Sequence, residues 1–228
     1  MALKLAARGD GHGAIVIADE QTSGRGRRGR AWFSPSGSGL YVSIVLSPAR
    51  ARHDPERATL LVTLMAGVAL AEGVEASTGL RVDIKWPNDL YVARRKLAGI
   101  LAEAAPGIET FVVLGYGINV GATSFPRELA DRATSIETEL GRRADRASLC
   151  AETVKAVARR YGDLLDARFD AILDAWRGRA PASRGAPVRW QTAEGTRTGV
   201  TAGIDDRGAL LVDLGERVER IVGGEVIW

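Results

Sequence analysis

The chain has 228 residues, 46% of them hydrophobic and 26% charged, which suits one large domain or one medium and one small domain with an adequate core. No uninterrupted apolar run reaches the length of a membrane span, the N-terminus lacks the apolar core and cleavage site of a signal peptide, and Cys150 is a single cysteine, so intrachain disulfides and cysteine-based zinc sites are excluded. The expectation is a soluble cytoplasmic protein with no membrane partner. The 31 Lys+Arg against 28 Asp+Glu give a net charge of +3, and four of the arginines lie in Gly24-Arg25-Gly26-Arg27-Arg28-Gly29-Arg30. Without them the chain is close to neutral, so the basic excess is local and not the broad basic face that nucleic acid requires.

In chain order, residues 2 to 8 read as a short helix and 9 to 13 as a glycine-rich turn in which His12 is a loop residue. Ala14 to Ala18 is a short apolar run that predicts a buried strand delivering Asp19-Glu20-Gln21 to the glycine-arginine loop. Leu40 to Leu46 is a second strand, and Pro55 to Ser77 has apolar residues at helical spacing, predicting a core helix. Arg81 to Trp86 alternates, with Val82, Ile84 and Trp86 on one face and Arg81, Asp83 and Lys85 on the other. A turn at Pro87-Asn88-Asp89, a strand at Leu90 to Val92, and further strands over Lys96 to Glu103 and Glu109 to Val120 follow. Residues 127 to 140 carry short helical signals, and the period from Ser148 to about Trp176 predicts one long helix in which Cys150 is an inert structural thiol. After a linker at 177 to 185, the segments Pro187 to Gln191, Thr196 to Ile204, Ala209 to Asp213 and Arg217 to Val222 predict a small barrel.

Three motifs carry chemistry. Glycines in the 24 to 30 loop allow backbone N–H groups to approach a ligand, and arginines offer forked donors to carboxylate or phosphate oxygens. A solvated basic loop that touches nucleic acid nonspecifically is the competing reading. Four cations within six residues repel one another, so such a loop is expected to order around an anion. The chain uses 27 arginines and only four lysines, yet two of those lysines, in Lys85-Trp86-Pro87-Asn88-Asp89 and Arg95-Lys96-Leu97-Ala98-Gly99-Ile100, lie a hairpin apart. Ordinary turn chemistry explains the first of these stretches equally well. Gly115-Tyr116-Gly117-Ile118-Asn119 reads as a bulge or as backbone on which a flat ligand can lie.

In this order and spacing, the three motifs resemble the catalytic domain of the biotin protein ligases, and Gly203-Ile204-Asp205, Gly208-Ala209-Leu210 and Gly223-Gly224-Glu225 resemble their small C-terminal domain. The resemblance implies an α+β fold: a mixed β-sheet with flanking helices, of the class II aminoacyl-tRNA synthetase/biotin synthetase type, over residues 1–180, and an SH3-like barrel over 181–228. It implies that biotin and ATP form biotinyl-5′-AMP and that biotin passes to a lysine of the biotin carboxyl carrier domain of a carboxylase. The implied catalytic residues are Arg27, Lys96, Lys85 and Asp89. Biotin-binding falls to Gln21, Gly24, Arg25, Gly26, Arg27, Lys96, Gly115 and Gly117, and nucleotide-binding to Arg25, Arg27, Arg28, Lys85, Asn88, Asp89 and Asn119, with Asp89 as a ligand of Mg²⁺. The family's opening Ser-Thr-Asn segment has no counterpart here, which leaves an inactive relative as one alternative. A lipoate or octanoate ligase of related fold is another. No winged helix precedes the motifs, so no DNA partner is expected, and a homodimer is compatible with the sequence.

Overall fold

The computed structural model describes residues 1–8, 11–105, 108–122, 125–192, 195–224 and 226–227. The turn residues Gly9 and Asp10 and the last residue of the Gly223-Gly224-Glu225 motif lie outside them. A six-stranded sheet is built from β1 (Ile15–Ala18), β2 (Gly39–Leu46), β3 (Asp83–Lys85), β4 (Asp89–Val92), β5 (Arg95–Ala105) and β6 (Ile108–Asn119), in the spatial order β1-β2-β6-β5-β4-β3. The named strands pair antiparallel, and a parallel bridge from Lys96 to Ala133 makes the sheet mixed.

Strand alternation divides this sheet into two unlike faces. Leu40, Val42 and Ile44 of β2, Leu114, Tyr116 and Ile118 of β6, and Ala98 and Ile100 of β5 are buried in the main core. That core is completed by three helices: α2 (Pro55–Thr78), α4 (Arg146–Leu165) and α5 (Phe169–Arg177). Two smaller helices lie apart from them, α1 (Ala2–Ala6) against β2 and β6, and α3 (Ile136–Leu140) after the site loops. The opposite set on β5 and β6 is Gly99, Leu101, Glu103, Gly115, Gly117 and Asn119, and it floors a cavity.

α2 starts where Asp54 accepts the Arg57 N–H and Pro55 occupies the first turn, and it stops at Gly79 with φ 75°. By length and composition it could cross a membrane, yet 72% of its most apolar window is buried in the protein. It is a core helix. The expected single helix over 148 to 176 is instead two, because the chain turns at Asp166 to Arg168 with Ala167 at φ 57°. A 3.6-residue period survives a turn that leaves both apolar faces on the same core, so the spacing alone concealed the break. Of the helical signals at 127 to 140 only α3, capped by Ser135, is a helix. His12 is more than a loop residue, since its Nε2 lies 3.3 Å from the Tyr161 hydroxyl. Cys150 is unpaired, and burial pushes its thiol pKa up, in keeping with an inert thiol.

The C-terminal sheet comprises β7 (Arg184–Thr192), β8 (Gly195–Ile204), β9 (Leu210–Asp213), β10 (Val218–Ile221) and β11 (Val226–Ile227), in the order β10-β9-β8-β7-β11. The first four match the expected segments, and β11 was not expected. Trp86 Nε1 donates to Gly208 O at 3.0 Å, and Arg57 Nε donates to Asp206 O at 2.8 Å, so this sheet is tied to β3 and α2.

Candidate active site

The cavity holds about 520 Å³, within the range of small-molecule sites. Its floor follows from strand register. Lys85 pairs with Asp89, Asp89 with Gly99, Gly99 with Gly117, and Gly117 with Tyr41, so one row across the sheet carries two charged groups and then two bare glycines. A register shift between Leu90 and Tyr91 pairs Tyr91 with Lys96. Without it, Lys96 would share the helix-facing side with Ala98 and Ile100. A one-residue slip reverses a strand's faces, and here it turns Lys96 to the cavity.

Lys96 Nζ is held 2.7 Å from Asp89 Oδ1 and 5.3 Å above the Trp32 ring. Lys85 Nζ lies 5.2 Å from the Tyr91 ring centre. Asn88 donates its amide to Ile100 O at 2.8 Å, which fixes the turn to β5. Asn119 donates to Thr134 O at 3.0 Å and Lys96 O at 3.4 Å, and so ties the 132 to 134 segment to the strand that carries Lys96.

The glycine-arginine loop closes over this floor. Trp32 N–H donates to Gly24 O at 2.9 Å and Gly26 N–H to Arg30 O at 2.7 Å, which pins the loop at its neck. Ser34 Oγ donates to Gln21 Oε1 at 3.0 Å, orienting Gln21 on the cavity wall. Arg27 Nη1 donates to Asn88 Oδ1 at 3.3 Å. Burial, and next the neighbouring Arg28, push the Arg27 pKa down while Asp89 raises it; a guanidinium stays charged regardless. Arg28 adopts φ 57°, and it and Arg27 extend toward the Gly223–Gly224 turn of the C-terminal sheet, where Gly224 and Val226 close the cavity wall. Arg25 Nη2 lies 2.8 Å from Glu103 Oε2.

Gln21, Arg25, Gly26, Arg27, Arg28, Lys85, Asn88, Asp89, Lys96, Gly115, Gly117 and Asn119 therefore all line one cavity. Gly24 does not. A Cβ there would stand 2.3 Å from Trp32 O, so this glycine lets the neck close and is not placed to meet a ligand. Gly117 also differs from expectation: its open space is filled by the Trp32 indole, 2.4 Å from where a Cβ would be, whereas Gly115 meets nothing nearer than 3.6 Å. Trp32, Glu103 and Arg132 line the cavity without having been singled out. Counting by twos along β5 from Gly99 would have found Glu103; nothing local in the sequence signals Arg132. Among the described residues no group of three His, Cys, Asp or Glu could hold a metal ion, and the Asp89 carboxylate is already paired with Lys96. The donor set does not fit a resident Mg²⁺.

The comparisons agree with this architecture. Residues 8–119 match the Biotin/lipoate A/B protein ligase family, and residues 185–228 match the Biotin protein ligase C terminal domain. The biotin–[acetyl-CoA-carboxylase] ligase of Paracoccus denitrificans is 35% identical over 92% of this chain and 88% of its own length. The bifunctional ligase/repressor BirA of Bacillus spizizenii is 38% identical over 94% of this chain, which spans 66% of that protein. Among solved structures, the biotin protein ligase from Aquifex aeolicus in complex with biotin and ATP superposes with a TM-score of 0.82 at 30% identity, covering 95% of this chain and 88% of that one. In sequence and in fold, this chain belongs to the biotin protein ligase family.

Proposed function

We propose that the protein activates biotin with ATP to biotinyl-5′-AMP and passes the biotinyl group to a lysine of a biotin carboxyl carrier domain. The observation that carries this reading is the convergence of Arg27, Lys85, Lys96 and Asp89 on one glycine-floored cavity, from a loop and a hairpin 61 positions apart at the Arg27–Asn88 contact. In the first step a biotin carboxylate oxygen attacks the α-phosphorus of ATP; a new O–P bond forms and the bond to pyrophosphate breaks. Two anions must meet, so fixed cations between them lower the barrier. Arg27 and Lys96 take that position, and Lys85 lies on the nucleotide side. Asp89 orients Lys96. Mg²⁺ enters with ATP as part of the substrate, since Mg²⁺ commonly rests on phosphates with few protein ligands. In the second step the carrier's neutral amine attacks the acyl carbon, the bond to AMP breaks, and the amine loses a proton to solvent.

Gly115 and Leu101 offer an uncovered floor for the biotin rings, beside Gln21. The 1–180 segment is the catalytic domain and 181–228 a C-terminal domain whose Gly224 and Val226 complete the wall. The partner is a carrier domain, the cytoplasm is the setting inferred from the sequence, and a homodimer is compatible with it. Incubating the protein with ATP, biotin and an unmodified carrier domain should add one biotinyl mass to one carrier lysine, with Lys96→Ala losing more than about 100-fold in rate, the scale seen when one stabilising donor is removed. Transfer of lipoate but not biotin would overturn the assignment.

A further inference from the structure

Arg25 and Arg27 leave the loop toward opposite ends of the cavity floor. Arg27 meets Asn88, next to Asp89, whose register partner is Gly99. Arg25 meets Glu103 at 2.8 Å. Gly99 and Glu103 lie on the same face of β5, four residues apart, which is about 13 Å of strand. The loop is thus fastened at both ends of the floor, and the Trp32 indole rests on Gly99 and Gly117, the row that Asp89 shares.

We propose that Glu103 is a positioning residue that straps the glycine-arginine loop over the cavity through Arg25. It acts on the reaction through the loop and is not itself a catalytic residue. The proposal rests on the adenylate-forming reading above and changes one part of it: the Arg25 guanidinium is engaged by a protein carboxylate, so its task is to hold the lid and not the ligand. The side chains of Arg25 and Glu103 are 58% and 35% exposed. A half-exposed pair is weak and screened by salt, which suits a strap that must open for biotin and ATP and stay shut while a hydrolysable anhydride waits for the carrier. Arg27 closes the end nearest the charged row, and Glu103 closes the far end, where Leu101 and Gly115 lie.

Two readouts on the full chain test this, one of them independent of the ligase reading. Trypsin cuts after arginine, so nicking after Arg27, Arg28 and Arg30, read by mass spectrometry without substrates, reports loop opening. Glu103→Gln and Arg25→Gln should each speed nicking about two- to fivefold, the scale of an exposed ion pair, and the double variant should go no further than either. Raising KCl from about 50 to about 500 mM should speed nicking of the parent and leave Glu103→Gln nearly flat. Glu103→Asp should fall between parent and Gln, and unchanged melting temperatures would separate strap loss from misfolding. The second readout is adenylate escape, measured as biotin added to bystander proteins per pyrophosphate exchanged, which should rise by the same factor. Equal nicking in parent and variants, additive effects in the double variant, or faster nicking without faster escape would each overturn the strap. Absence of biotin-dependent exchange in the parent would instead overturn the ligase reading, with the nicking result still deciding the strap.

Discussion

At the scale of single residues, the two glycines of Gly115-Tyr116-Gly117 separate cleanly although the sequence treats them alike. A methyl group at Gly117 would lie 2.4 Å from Trp32 Nε1 and 2.7 Å from its Cε2, and a rigid indole cannot yield by bending a side-chain tip. Gly117→Ala should displace Trp32, costing about 1–3 kcal/mol in stability and at least tenfold in kcat/KM for biotin. Gly115→Ala meets only ordinary contacts at 3.6 and 3.8 Å, so its melting temperature should stay within about 2 °C of the parent. Steady-state exchange kinetics and thermal melts on both variants check the contrast. Arg27→Gly removes the Asn88 contact and one cation of the cavity; under the proposed function it should release adenylate and biotinylate bystander proteins, and a variant that releases no more than the parent would count against Arg27 as a latch. The arginines of the loop and the two hairpin lysines were legible because arginine and lysine in such company have few other uses; Arg132 was not. Nor were Trp32 and Glu103, because a tryptophan after a loop and a glutamate in a strand have many; register shows where Glu103 points, and packing on Gly99 and Gly117 shows where Trp32 does.

Among the elements, the strands were easier to read than the helices. Period-two alternation identified β3 and its buried face, an apolar run identified β2, and the lysines at the ends of the 85 to 96 hairpin marked its chemistry, whereas the apolar run of β1 misled about burial, since Ile15 and Ile17 are exposed. The register shift that turns Lys96 inward has no local signature, because it follows from pairing with β4. The α4–α5 break was hidden for a similar reason, since both helices present apolar faces to α2. That helix layer contains a partly buried ionic cluster in which Glu72 accepts from Arg160 Nε at 3.0 Å and Arg159 Nη2 at 2.7 Å. Burial would push the Glu72 pKa up, but the Arg160 hydrogen bond and charge, with Arg159 and Arg179, outweigh it and hold the pKa below its ordinary 4.5. A carboxylate with a depressed folded-state pKa contributes stability above its unfolded pKa and loses it as pH falls through the folded value. Glu72→Gln should therefore destabilise the protein at pH 7, and the gap between parent and variant should shrink as pH drops below about 4.5. Urea unfolding of both at pH 7 and pH 4 measures it, and a constant gap would contradict the ionic account.

For the molecule as a whole, the C-terminal sheet is part of the site as well as an appendage to it. Gly208, at φ +82°, sits against Leu64 and Leu61 of α2, and Trp86 reaches it with a hydrogen bond from the foot of the Lys85 to Asp89 turn. Trp86→Phe would leave the buried Gly208 carbonyl without that donor and should lower stability by about 1–3 kcal/mol, with both sheets still unfolding in one transition by calorimetry. Two separate transitions in the parent would show that the sheets are thermodynamically independent. The barrel-like tail was legible from its short segments and turns, but its docking was not, since neither Trp86 nor Gly208 signals the other along the chain. The claim that most depends on the assembled molecule is that this cavity joins biotin to AMP. Exchange of labelled pyrophosphate into ATP tests it directly: the exchange should require biotin and fall sharply in Lys96→Ala, and exchange supported by lipoate but not by biotin would overturn it.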